Sequence, residues 1–286
     1  MRSATLLLLT LVALLVASPL AFGALGALRA TGVSPQSSRP ASRPARAGFD
    51  HTHTAWTRVL KSHVRSGQVN YAKLKKNHAE LDAYLATLEA VTPTQLKSWS
   101  RDQRFAFWIN VYNAYTVNLI VDNYPVKSIQ ELGTMMTQVW KRPLVPLQHL
   151  VPDAKGKKLS LDTIEHEILR PHFEDARVHV AVNCASESCP PLRNEAFVAD
   201  KLDRQLDEQA KAWLANDALN RYDRTATRVQ ISKLFEWFER DFLRAEGSVQ
   251  AWLAKYAPDE HAAWIKKAKN LKVEYLEYSW KLNETK

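Results

Sequence analysis

The chain has 286 residues, 46% of them apolar and nine of them tryptophan, which is ample material for a buried core. Its formal charge of +9 would fit a nucleic-acid binder, but Arg2, Arg29, Arg39, Arg43 and Arg46 all precede residue 48 and no acid does. The remaining 34 basic residues face 30 acidic ones, a surplus of +4 with no basic helix or arginine-glycine run to track phosphates, so a nucleic-acid partner is excluded.

Arg2 is followed by an apolar run over residues 6–16 and then by small residues including Ala21-Phe22-Gly23 and Gly26-Ala27. This pattern predicts a signal peptide over residues 1–28, or an uncleaved N-terminal anchor. Either places the following domain outside the cytoplasm, periplasmic or secreted, with the membrane as a partner only if the segment is retained. Residues 29–48 contain Ser-Pro and two Arg-Pro-Ala stretches and offer almost nothing to bury, the composition of an extended tether. Residues 49–286 then form one globular domain.

The first half of that domain reads as helix. Trp56, Val59, Leu60 and Val64 keep helical spacing up to Ser66-Gly67, and Leu74, Leu81, Tyr84, Leu85 and Leu88 mark a second helix ending near Pro93. His51 and His53 alternate beside the tether and are expected to be exposed. Ser100 and Gln103 form a capping box for a third helix that runs to Ile120 and is apolar all round, the pattern of burial on nearly every face. Asn110 and Asn113 lie three apart on it. A buried amide without partners costs about 1–3 kcal/mol, so both must hold something, backbone or a reactive side chain.

Beyond Val126 the pattern changes. Residues 140–149 and 157–161, separated by Pro-Asp-Ala-Lys-Gly, read as a hairpin. Ser160 can cap a short helix over 161–169, closed by Pro171 and carrying Glu165-His166. The valines of 177–183 alternate with His179, Ala181 and Asn183, which predicts a strand with His179 on the face opposite Cys184. It empties into Cys184-Ala185-Ser186-Glu187-Ser188-Cys189-Pro190-Pro191, a small-residue loop holding both cysteines of the chain. An amphipathic helix over 196–214, a strand near 228–231, helical pieces at 235–242 and 249–256, and a closing strand carrying Leu276, Tyr278, Trp280 and Leu282 complete the reading. The predicted fold is α+β: a single domain, its helical N-terminal half packed on a small mixed or antiparallel sheet.

Phe107-Trp108-Ile109-Asn110-Val111-Tyr112-Asn113-Ala114, Asn123-Tyr124-Pro125-Val126-Lys127-Ser128-Ile129, Val139-Trp140-Lys141-Arg142-Pro143, Leu161-Asp162-Thr163-Ile164-Glu165-His166, Asn183-Cys184-Ala185-Ser186-Glu187-Ser188-Cys189-Pro190 and Tyr278-Ser279-Trp280-Lys281-Leu282-Asn283 occur in this order. Together they resemble domain-of-unknown-function family 547 over about residues 50–283. The resemblance implies a single domain and no particular activity. An acid is more usual where Ser279 stands. Some members carry serine at the position of Cys189 and keep the cysteine of Cys184, which implies that Cys184 is the functional sulfur if either is.

Three functions fit these residues. A Cys184–Cys189 disulfide, the expectation for two cysteines in an exported chain, would stabilise the loop by ~2 kcal/mol and make the domain a ligand- or partner-binding scaffold. A small molecule, a peptide or an envelope component would then be bound, with Asn110, Asn113, His179 and Ser188 as supporting residues and no cofactor. Alternatively Cys184 is the nucleophile of a hydrolase or acyltransferase, with His166 as base and Glu165 or Asn110 orienting it. A redox or zinc site using Cys184, Cys189, His166 and His179 is a third reading, although Cys-x4-Cys is not thioredoxin spacing.

Overall fold

The computed structural model describes residues 48–285. The expected signal segment and all of the tether but Gly48 lie outside them; among the described residues no helix is long and apolar enough to cross a membrane. The fold is α+β, as the sequence predicts, with helices also filling most of its C-terminal half.

Helix α1 (Thr54–His63) turns at Ser66-Gly67 through a two-residue hairpin, β1 (Val64–Arg65) and β2 (Gln68–Val69), into α2 (Tyr71–Lys76) and α3 (Ala79–Glu89). His53 contradicts the expectation of exposure. It is 2% exposed, with Nδ1 on the Tyr84 hydroxyl at 2.8 Å, and burial pushes its pKa down to about 4. Pro93 does not merely end a helix: it occupies the first turn of α4 (Pro93–Ser98), capped by Thr92 and Gln95. The capping box of Ser100 and Gln103 then opens α5 (Arg101–Asn123), which is buried from Phe105 to Val117. The first hydrophobic core is built around it.

The predicted hairpin over 140–161 is reduced to one antiparallel bridge, Val145 with Leu159, among short 3₁₀ turns. Pro143 and Pro146 remove donors a ladder would need. Ser160 does cap the next helix, its Oγ accepting from Thr163 N at 3.0 Å. That helix is wound as a π-turn over Thr163–Leu169 and continues through Pro171 in α6 (Arg170–Phe173) instead of stopping there. The wider turn upstream of the proline accommodates its ring and its missing N–H, the usual obstacle to a helix-interior proline.

The predicted strand over 177–183 is helical. The Asp175 carboxylate accepts from Arg177 N at 2.9 Å, and the turn so formed leads into α7 (Val178–Ala181) before Val182 becomes extended. All four residues of α7 are buried, so the alternating valines record burial on both sides, which period alone does not assign to a strand. The amphipathic helix expected over 196–214 begins later, as α8 (Leu202–Leu214).

A three-stranded sheet follows: β3 (Arg221–Asp223) pairs antiparallel with β4 (Arg228–Ile231), which pairs parallel with β5 (Lys272–Tyr275). The parallel crossover carries α9 (Leu234–Trp237), α10 (Glu239–Glu246), α11 (Val249–Tyr256) and α12 (Asp259–Lys267), the last not anticipated. These helices, α8 and β4 enclose a second core around Trp213, Phe235, Phe242 and Trp252. The closing strand is displaced: the ladder ends one residue after β5, and residues 277–283 run along the cysteine loop as irregular chain with a single bridge, Leu282 with Ser186.

Gly67 ties the first hairpin to that loop. Its φ is +81°, and an added Cβ would lie 2.7 Å from Pro191 Cα. Gly67→Ala is expected to cost about 2 kcal/mol, from left-handed strain and the clash together. Urea unfolding with an unchanged slope would show it; an unaltered midpoint would mean that the hairpin does not buttress the loop.

Candidate functional site

The cysteine loop is held from three sides. From α5, Asn113 donates to Ala181 O at 2.9 Å and accepts from Asn183 N at 2.8 Å. Asn110 does the same one turn away, donating to Phe197 O at 2.7 Å and accepting from Phe197 N at 3.1 Å. Both amides are fully engaged with backbone. They therefore support the site and do not orient a reactive side chain, which removes Asn110 as a partner of a catalytic base.

Within the loop, Asn183 donates to Pro190 O at 2.9 Å, and its Oδ1 accepts from Ala185 N at 2.9 Å and from the Asn283 amide at 3.1 Å. Ala185 sits at φ +60°, a left-handed conformation unusual for a residue with a Cβ. From the C-terminal side, Ser279 N donates to Ser188 Oγ at 2.8 Å and Glu187 N to Lys281 O at 2.8 Å. So restrained, Cys184 and Cys189 have their Cα atoms 6.4 Å apart and their sulfurs at disulfide distance. The Tyr278 hydroxyl lies 3.3 Å from Cys184 Sγ and 3.2 Å from Cys189 Sγ, and it accepts from Ser186 Oγ at 3.0 Å. Burial pushes its phenol well above the ordinary range, so it stays protonated.

The π-turn presents Asp162, Glu165 and His166 to the same cleft. His166 is exposed; its Nδ1 accepts from Arg170 at 2.7 Å, and Asp162 lies 3.8 Å from its Nε2. It has no sulfur partner. His179 lies in this cleft as well, contrary to the expectation that it faces away, because α7 turns its ring by helical and not by strand geometry. It is 2% exposed and stacks on Phe238 with ring centroids 3.9 Å apart. Its Nε2 meets Asp241 Oδ2 at 2.8 Å; its Nδ1 has no hydrogen-bond partner and faces Glu165 Oε1 at 3.9 Å. Burial pushes the imidazole pKa down, outweighing the opposing pull of Asp241 and Glu165, and keeps the ring neutral.

Asp241 is the residue that sequence reading missed. Burial alone would raise its carboxyl, but hydrogen bonds from His179 and Arg170 outweigh it and hold the group far below the usual carboxylate range. Arg170 Nε donates to it at 2.7 Å, and so does Arg244 at 2.7 Å. A signal was there: Asp241 falls between Phe238 and Phe242 on the apolar face of a helical pattern, where an acid needs partners.

The cleft, about 200 Å³, has one wall of aromatic rings. Tyr278 packs on Trp280 at 4.6 Å and on Trp237 at 4.9 Å, and Trp140 packs on Trp280 at 4.9 Å. Its floor holds the two cysteines and Tyr112, whose phenol is pushed far up by burial and by the adjacent Glu165 carboxylate. Of the residues singled out in the sequence, Cys184, Cys189, Glu165, His166 and His179 converge here, while Asn110, Asn113 and Ser188 stand behind. Among the described residues no group of three or more His, Cys, Asp or Glu side chains is placed to hold a metal ion, so the four-ligand zinc arrangement does not form.

Residues 96–214 match the family model described as "Protein of unknown function, DUF547". The match supports the resemblance to domain-of-unknown-function family 547 over this segment; the closing motif at 278–283 lies beyond it. Comparison with curated proteins gives no match, and neither does comparison with solved structures.

Proposed function

On the premise of that family match, we propose that the domain is an exported ligand-binding module. Its aromatic-walled cleft takes a small molecule, a peptide or an envelope component, and a Cys184–Cys189 disulfide forms part of the floor. The observation that carries this reading is the pairing of the two sulfurs beneath Tyr278 in the same cleft as Trp237 and Trp280. A bridged sulfur is no nucleophile, and among the described residues neither sulfur has a histidine nitrogen as a hydrogen-bond partner. The apolar N-terminal run and the basic tether support export; N-terminal sequencing of the mature protein would reveal cleavage near residue 28, and recovery of the intact, untethered chain from the cytoplasm would contradict it.

Two measurements test the module. Alkylation and intact mass should find no free thiol in the exported protein until reductant is added, whereas a fast-reacting Cys184 would refute the scaffold. The neutral dye N-phenyl-1-naphthylamine should brighten in the cleft of the native protein and do so far less after Trp237→Ala or Trp280→Ala. No enhancement with native protein would contradict a ligand cleft.

A second reading has its own observation. With Nε2 on Asp241 and Nδ1 unpartnered, His179 is arranged as an oriented base, as a cysteine hydrolase requires once the bridge is reduced. In that reading Cys184 attacks, and His179, not His166, receives its proton. Reduced protein should then turn over p-nitrophenyl acetate, with activity lost in both Cys184→Ser and His179→Gln; retention of turnover in Cys184→Ser would eliminate it.

A further inference from the structure

The cleft carries an unmet requirement for a hydrogen-bond donor. Asp241, held ionised by Arg170 and Arg244, can only accept, so the proton between it and His179 sits on Nε2. Nδ1 is then an acceptor. It is buried, has no partner, and faces Glu165 Oε1 at 3.9 Å. Nδ1 thus confronts a second acceptor with no proton between them, which is costly for a buried nitrogen, while Glu165 has the Tyr112 hydroxyl as its own donor.

The charges around them have one sign. Asp162 and Glu165 line the cleft, and among the described residues no lysine or arginine does. Arg170, beside the cleft, is already committed to Asp241 and His166 and lies 5.0 Å over the Phe238 ring. The remaining wall is aromatic, and aromatic faces attract cations and cover alkyl groups alike.

We infer that the cleft is a site for a protonated primary amine, its N–H groups donated to Glu165 and to His179 Nδ1 and its carbon chain laid against Trp237, Tyr278 and Trp280. A free amine, a polyamine or a lysine side chain of a peptide shares this chemistry. The inference rests on the ligand-cleft reading above and narrows it: a donor bearing a charge satisfies both acceptors, whereas a quaternary ammonium supplies the charge without the bonds and an alcohol supplies a donor without the charge.

Three probes with one alkyl chain separate these terms: hexylamine, hexyltrimethylammonium and 1-hexanol, titrated against the full chain at neutral pH by calorimetry and tryptophan fluorescence. Hexylamine should bind at least about tenfold more tightly than either of the others, as expected for charge-assisted hydrogen bonds in a partly desolvated site. Glu165→Gln should bring it down to the level of hexanol, and His179→Gln should weaken it while keeping a donor toward Asp241. Circular dichroism and thermal unfolding identify a variant that has failed to fold, and Glu165→Gln, whose amide oxygen can still accept from the Tyr112 hydroxyl, decides the matter if His179→Gln fails. Equal binding of hexanol would overturn the inference and leave a plain apolar cleft; equal binding of hexyltrimethylammonium would overturn it in favour of charge alone. If none of the three binds, the amine site is overturned, and the neutral-dye result shows whether the cleft binds any ligand. Hexylamine unaffected by Glu165→Gln would place the amine elsewhere on the surface.

Discussion

Asp241→Ala is expected to destabilise the domain by about 3–5 kcal/mol, the cost of leaving buried charge uncompensated. The carboxylate is 7% exposed and is shared by Arg170, His179 and Arg244, so its loss strands Arg170 and removes the orientation of His179. Asp241→Asn should recover part of this, because the amide oxygen still accepts. Acid makes a second, independent signature. The folded carboxyl titrates below its ordinary value of 3.8, so its contribution is present above that pH and is lost as pH falls through the folded value. His179 acts in the same direction from higher pH: its folded pKa is lowered below 6.5, so the unfolded chain takes up the proton first and stability falls as pH drops under that value. Urea midpoints from pH 7.5 down to 2 should show the wild type weakening in two stages, with Asp241→Asn losing less than the wild type in the lower one, where Asp50, Glu195 and Asp223 still titrate in both proteins. Parallel profiles for the two proteins would mean that Asp241 is not ionised in the fold.

Asn113→Ala should cost about 4 kcal/mol. Asn113 is 2% exposed and closes two bonds to one stretch of backbone, so alanine orphans both the Ala181 carbonyl and the Asn183 N–H in the interior. Because Asn183 anchors Pro190 and Ala185, the effect should reach the cysteines: the proposed bridge between them should be reduced faster in the variant than in the wild type. Asn113→Asp is the discriminating control. It still accepts from Asn183 N but turns a second acceptor toward the Ala181 carbonyl, so it should fall between alanine and wild type. An alanine variant of wild-type stability would show that the loop is held by Asn283 and Ser188 alone.

Much of this architecture is legible in local pattern. The capping box of Ser100 and Gln103, the all-apolar face pattern of α5, the burial of Asn110 and Asn113 and the paired cysteines are each properties of neighbouring residues. Three features are not. The valines of 177–183 read as a strand because alternation and complete burial look alike over four residues, and only the Asp175 turn and the packing of α7 on α8 decide for helix. That decision in turn moves His179 into the cleft. His53 reads as an exposed residue beside the tether, yet Tyr84, thirty-one positions away, supplies the partner that allows it to be buried.

By itself, then, the sequence determined the α+β class, the principal helices and their caps, the family resemblance over residues 96–214 and most members of the candidate site. These follow from side-chain period, capping chemistry and motif order, which act over a few residues. The tertiary structure alone decided which of two histidines is oriented by a carboxylate, that Asp241 is that carboxylate, and that Trp237 and Tyr278 form a wall beside the cysteines. The physical reason is distance along the chain. Partners 62 and 94 residues apart, as in His179 with Asp241 and Cys184 with Tyr278, are chosen by how two hydrophobic cores and an irregular closing segment pack, and no local spacing encodes that choice.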